Sequence, residues 1–132
     1  MSDVSLHGVV MLHHVTIEIP PDHEVAARHF YGELLGLREI DIPFALRGHE
    51  HGGIWYEASP DGRQQVHLGP VEIFQPQRRG HLAFLMQNLA SLHEKLLQAG
   101  IQIEEAVPEP GWTRFYARDP FGNRLELRER EV

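Results

Sequence analysis

An internal repeat restricts the fold of this chain more than any other feature. Residues 11–19, "MLHHVTIEI", alternate in period two, with Val15, Ile17 and Ile19 against His14, Thr16 and Glu18, which is a strand pattern that Pro20 and Pro21 end. Residues 22–35 carry a helical stripe of Val25/Ala26, Phe30 and Leu34, with Asp22 as N-cap and Gly36 as C-terminal cap. Extended pieces follow near 37–42, 53–58 and 64–69, the last two joined by the turn "SPDG". The order then recurs: "HLAFLM" reads as a strand, Asn88 caps the helix "LASLHEKLLQA", and Gly100 ends it. Extended pieces at 101–106, 112–118 and 123–129 complete the second half, the last two joined by "DPFGN". Both helices end in Gly plus an aliphatic residue, "LLGL" and "QAGI". Two copies of a βαβββ unit are too long and too few for a solenoid. The expected class is α+β: two βαβββ modules forming a curled mixed sheet around a cavity, within a single domain spanning 1–132. Module one covers about 11–69, a linker about 70–79 and module two about 80–130.

The repeat also aligns chemistry. His14 opens the first strand of one half in "HVTI", and His81 opens that of the other in "HLAF". His67 in "VHLG" and Glu126 in "LELR" occupy the two last strands. Val15 and Ile17 lie on the face opposite His14, Val66 and Leu68 flank His67, and Leu125 and Leu127 flank Glu126, so a sheet packed on its helices turns these polar residues toward the concave side. A pseudo-two-fold axis between the halves would gather them. Trp55 shares a face with Glu57, and Arg114 with Tyr116; Trp55, Arg114 and Tyr116 are candidate substrate contacts. "VPEPGW", residues 107–112, reads as a loop at the cavity mouth. His49 and His51 form a possible H-x-H chelate, whereas His7, His13, His23, His29 and His93 read as structural or solvated, with His13 on the face opposite His14.

Composition removes other classes. There is no cysteine, which excludes disulfides, thiolate metal sites and a Cys nucleophile. Twelve basic against 19 acidic residues give a formal charge of −7, a poor match for nucleic acid. No stretch is apolar enough for a membrane span, and "VVML" is too short for a signal-peptide core. A cytoplasmic location is expected.

The segments "LHHVTIEIP…ARHFYGELLGL", "GHLAFLM" and "RFYARDPFGNRLEL" resemble the vicinal oxygen chelate superfamily, over essentially residues 10–130. That group includes glyoxalase I, fosfomycin-resistance thiol transferases, extradiol dioxygenases and bleomycin-binding proteins. The resemblance implies paired modules around a metal-containing cavity, with ligands at the strand positions of His14, His81 and Glu126. His67 stands where glyoxalase-type members often carry Glu or Gln. Three imidazoles and one carboxylate suit one divalent transition metal (Zn, Fe, Mn, Ni or Co) better than Ca2+ or Mg2+. The implied activity is a metal-dependent lyase or isomerase on a small oxygenated metabolite, with Glu126 also a candidate catalytic base. The alternatives are an Fe(II) extradiol-type dioxygenase and a non-catalytic, bleomycin-resistance-like binding protein. The resemblance further implies a homodimer, with the site either within one chain or across the interface.

Overall fold

The computed structural model describes residues 6–48 and 53–132. The first module runs β1 (His14–Ile19), α1 (Glu24–Ala27), a π-helical segment (Arg28–Leu34), β2 (Arg38–Ile40), β3 (Ile54–Glu57) and β4 (Gln65–Pro70). The second runs β5 (Leu82–Leu85), α2 (Leu89–Gln98), β6 (Ile103–Glu105), β7 (Trp112–Arg118) and β8 (Arg124–Arg130). Each module builds a four-stranded sheet of the same order, β1-β4-β3-β2 and β5-β8-β7-β6. The first pair in each is parallel and the rest antiparallel, so both sheets are mixed and neither closes. A parallel pair needs a crossover, and the helix of each module supplies it. The expected α+β class with two βαβββ modules is therefore observed.

The first helix differs from its expected form. Four α-helical residues give way to a seven-residue π-helical run. Asp22 is not its N-cap: it adopts a left-handed φ of 62°, and His23 holds the cap position with its ring turned back to the Pro21 carbonyl rather than capping the helix. The expected C-terminal glycines do take left-handed φ, 82° at Gly36 and 76° at Gly100. Beyond them the N–H of Leu37 reaches the Tyr31 carbonyl and that of Ile101 the Leu96 carbonyl, which closes both helices. Asn88 sits at the N-cap of α2, but at φ 56° its side chain caps nothing. The Glu129 carboxylate, reaching over from β8, accepts the Asn88 and Leu89 N–H groups instead, at 3.0 and 3.1 Å. A carboxylate there also meets the positive end of the helix dipole.

One core spans both modules. It joins Phe30, Tyr31, Ile54 and Leu68 of the first to Leu89, Leu96, Leu125 and Leu127 of the second. A buried polar junction fixes their relation. Tyr31 donates its hydroxyl proton to Asp119 Oδ2 at 2.6 Å, and Asn123 donates through Nδ2 to the Glu18 carbonyl at 2.9 Å and to Asp119 Oδ2 at 3.0 Å. Burial, followed by the nearby Asp119 charge, holds the Tyr31 phenol well above its ordinary range. The "DPFGN" segment is thus a turn and also the bolt between modules. Lys95 adds a second tie, donating to the Glu33 and Leu34 carbonyls at the end of the π-helical run.

Candidate metal centre

Strand alternation places the candidate residues as expected of a two-faced sheet. On β1, Ile17 and Ile19 are buried, while His14, Thr16 and Glu18 are exposed. On β3, Ile54 and Tyr56 are buried and Trp55 and Glu57 half-buried. The central strands β4 and β8 are covered on both faces, so His67 and Glu126 are buried although they share the open face.

The register makes the two halves equivalent. Thr16 pairs with His67 across β1 and β4, and Ala83 pairs with Glu126 across β5 and β8. His14 precedes Thr16 by two residues and His81 precedes Ala83 by two. Each half therefore presents a histidine beside the residue at the matching place on its neighbouring strand.

In the first half, His14 stacks on His67 with ring centroids 4.2 Å apart, and His67 stacks on Trp55 at 3.8 Å. His67 Nε2 lies 2.8 Å from Gln65 Oε1, so it carries the proton it donates there and Nδ1 keeps its lone pair. Burial first, then the nearby His14 and His13, pushes the His67 imidazole down to about 4. It is neutral at physiological pH, as a metal ligand must be. The faces of His14 and His67 meet, so one ring would have to turn for both to bind a common ion.

In the second half the donors converge. His81 Nδ1 lies 3.0 Å from the Arg79 carbonyl oxygen, to which its N–H donates. That leaves the Nε2 lone pair facing Glu126 Oε1 at 3.0 Å. Two acceptors at this distance call for a proton or a cation between them. A backbone carbonyl that orients a metal-ligating imidazole is also a recurrent feature of metal sites. Glu126 is otherwise tightly held: Arg128 Nη1 donates to Oε2 at 2.7 Å, and Arg114 Nη1 lies 3.6 Å from Oε1.

The four residues thus form two pairs. Among the described residues, no group of three His, Cys, Asp or Glu comes together in one chain. His14 lines a cavity of about 370 Å3 with Gln65, Ala58 and Phe84, whereas His81 lines one of about 360 Å3 with Thr16 and Arg124, which adjoins the first along Leu12, Val15, Leu82 and Ala83. The gathering of all four by an axis within the chain is therefore corrected: β1 and β5 are edge strands of different sheets and do not pair. The donor types still fit a divalent transition metal, each pair supplying half of a mixed nitrogen and oxygen set.

Other expected contacts fall as follows. Arg114 donates to the Tyr116 hydroxyl at 3.1 Å and to the Val107 carbonyl at 2.6 Å, so it ties the 107–112 loop to the Glu126 side. His13 does not stay on the far face from His14: it lies before the strand begins, and the two Nδ1 atoms approach to 2.9 Å. His49 and His51 lie outside the described residues. Sequence reasoning passed over Arg124, Arg128, Gln65 and Glu109. The first two were legible, because "RLELR" puts Arg124, Glu126 and Arg128 on one face. Glu109, which binds Arg128 Nη2 at 2.6 Å, comes from an irregular loop without a period to betray it.

The low value at His67 carries a pH dependence. The unfolded chain takes up this proton near 6.5 and the folded one only near 4. Stability present above pH 6.5 should be lost as the pH falls from 6.5 toward 4, and then level off. Urea unfolding of the metal-free protein across that range should show a steeper loss for wild type than for His67→Gln. Identical slopes would refute it.

Comparison with known proteins agrees with this architecture. Residues 11–127 match the model of the Glyoxalase/Bleomycin resistance protein/Dioxygenase superfamily. No curated protein sequence matches the chain. Among solved structures, one assigned to the glyoxalase family from Bacillus anthracis is 34% identical, with a TM-score of 0.84, covering 96% of this chain and 100% of its own. A glyoxalase/dioxygenase from Nostoc punctiforme is 23% identical, with a TM-score of 0.79 and coverage of 100% and 99%. The genomically encoded fosfomycin resistance protein FosX of Listeria monocytogenes is 16% identical, with a TM-score of 0.71 and coverage of 95% and 97%, a likeness of fold alone. Repeat, sheet order and matched span converge: the chain belongs to the Glyoxalase/Bleomycin resistance protein/Dioxygenase superfamily.

Proposed function

We propose that this protein is a metal-dependent lyase or isomerase of glyoxalase type, acting on a small oxygenated metabolite as a homodimer. The carrying observation is the equivalence of the two donor pairs, His14/His67 and His81/Glu126, at matching register positions. Each pair is half a site, and a second copy facing the first would join His14 and His67 of one chain to His81 and Glu126 of the other. The surface beside them supports such a partner. Val9, Val10, Leu12 and Leu85 are exposed next to the free edges of β1 and β5, an apolar margin that association would cover. A divalent ion bound there would polarise vicinal oxygens of the substrate. The chain's own residues do the rest: Arg128 fixes the Glu126 carboxylate, Trp55 shields His67, and Arg114 holds the loop at the mouth. With Fe2+, two imidazoles and Glu126 would also form an oxygen-activating set. Metal identification therefore precedes any substrate screen. A protein that merely sequesters a drug should purify without stoichiometric metal.

Mixed dimers test the arrangement. A chain carrying His14→Ala and His67→Ala keeps only the second pair, and one carrying His81→Ala and Glu126→Ala keeps only the first. Each alone should fail to retain metal. Co-expressed, they should recover one intact site per mixed dimer, read as metal content by elemental analysis. No recovery, with dimers verified by differential tags, would overturn the shared site.

A further inference from the structure

We infer that Arg124 is an anion-recognising residue of the candidate site, and that the small molecule bound there carries a carboxylate or phosphate-type oxyanion. The inference rests on the proposed function for its site and adds the chemical class of the ligand.

Beside Arg130, which is exposed at the end of β8 over the Trp112 ring, four arginines share the open face of β7 and β8. Arg118 donates to Glu104, and Arg128 to Glu126 and Glu109. Arg114 lies 3.6 Å from Glu126. Arg124 differs from these three. Among the described residues its side chain makes no hydrogen bond or ion pair at all; its buried Nε, like those of Arg114 and Arg128, has no hydrogen-bond partner, but unlike them it has no other nitrogen engaged. Its guanidinium instead lies over the Tyr116 ring, 3.7 Å from the centroid. His81 rests edge-on against the same ring, with centroids 5.3 Å apart. Tyr116 is thus a platform that holds a standing positive charge beside a candidate metal ligand.

The cavity that Arg124 and His81 line together offers no compensation. Thr16, Gln77 and Asn123 supply its polar wall, and none of its lining residues is acidic. Glu126, two residues along the same face of β8, has Oε2 committed to Arg128. Guanidinium cannot shed its proton, so a partly desolvated, unpaired one is a cost that a ligand's negative charge would remove. Its planar fork of N–H donors matches the paired oxygens of a carboxylate or phosphate. At about 360 Å3 the cavity has the size of a small-molecule pocket.

The test is a titration of the full-length, metal-free protein with inorganic phosphate and, separately, with propionate, read on the His81 ring signals by NMR. At least one probe should shift these signals saturably. Arg124→Ala should weaken that response tenfold or more, and Arg124→Lys, which keeps the charge and the stem, should fall between. Wild-type thermal unfolding in both variants verifies the fold, and the lysine variant serves if the alanine one does not fold. A flat response to both probes, or an equal response in Arg124→Ala, would overturn the assignment. A parallel titration with Zn2+ alone separates this from the site reading, because Arg124→Ala should leave metal stoichiometry unchanged. Phosphate binding at Arg124 in a wild-type protein that takes no metal would sink the metal reading and leave the anion site standing.

Discussion

Replacing Glu126 with glutamine is expected to lower metal affinity and turnover together. Glu126 is the single carboxylate of the four-residue set and is 4% exposed. Its two oxygens are divided: Oε2 is bonded to Arg128 at 2.7 Å, while Oε1 faces His81 Nε2 at 3.0 Å. An amide there is neutral, and its NH2 can turn toward His81 and fill the gap that a cation would bridge. Metal affinity should fall by at least ~100-fold, the upper figure for losing even an outer-sphere partner. A base role predicts something different: Glu126→Gln would keep its metal and lose ~100-fold or more in rate. The ligand role is favoured because Oε1 lies at the His81 lone pair and Oε2 is already engaged. Metal content after dialysis against a graded chelator, with turnover of whichever substrate the screen yields, separates the two. His81→Ala should lose metal under either. If Glu126→Ala changes neither metal content nor turnover, this strand does not serve the site.

The division of Glu126 between two partners shows where sequence reading stops. Its position on the open face of β8 follows from Leu125 and Leu127 on either side, and the fold class follows from the repeat. Period-two alternation is a local property, so it survives without coordinates. The pairing of donors is not local. It depends on which strand edges meet, and β1 and β5 belong to different sheets. Nothing in "HVTI" or "HLAF" says that His14 will stack on His67 while His81 meets Glu126. The expected side-chain caps at the helix N-termini failed for a similar reason. Asp22 and Asn88 are good capping residue types, but both take left-handed backbone conformations, and a carboxylate 40 residues beyond Leu89 caps α2 in their place. Side chains that arrive from a distant strand or loop, as Glu129 and Glu109 do, leave no periodic trace.

Asp119→Ala should be the most destabilising single change outside the apolar core. The residue is 4% exposed and lies in a segment that reads, by sequence, as a mere turn. Its Oδ1 accepts the Phe121 and Asn123 N–H groups at 2.9 and 2.8 Å, and its Oδ2 accepts the Tyr31 hydroxyl and Asn123 Nδ2 at 2.6 and 3.0 Å. Alanine strands four donors, of which Tyr31 is fully buried and Asn123 is 1% exposed. Unmet buried donors each cost roughly 1–3 kcal/mol, and partial rehydration of the turn would recover some of the sum, leaving a loss of roughly 3–5 kcal/mol. Tyr31→Phe removes one donor together with its bond and leaves Asp119 satisfied by the other three, so it should cost only about 1 kcal/mol. Asp119→Asn keeps Oδ1 and turns Oδ2 into a donor facing donors, which places it between the two. Urea unfolding of the three variants should give that order. A loss in Asp119→Ala no larger than in Tyr31→Phe would mean that water satisfies the junction. The consequence for the site is geometric. Asn123 adjoins Arg124 in sequence and donates to the Glu18 carbonyl at the end of β1. The same bonds therefore set Arg124 and His81 of one module against Thr16 of the other across the cavity they share.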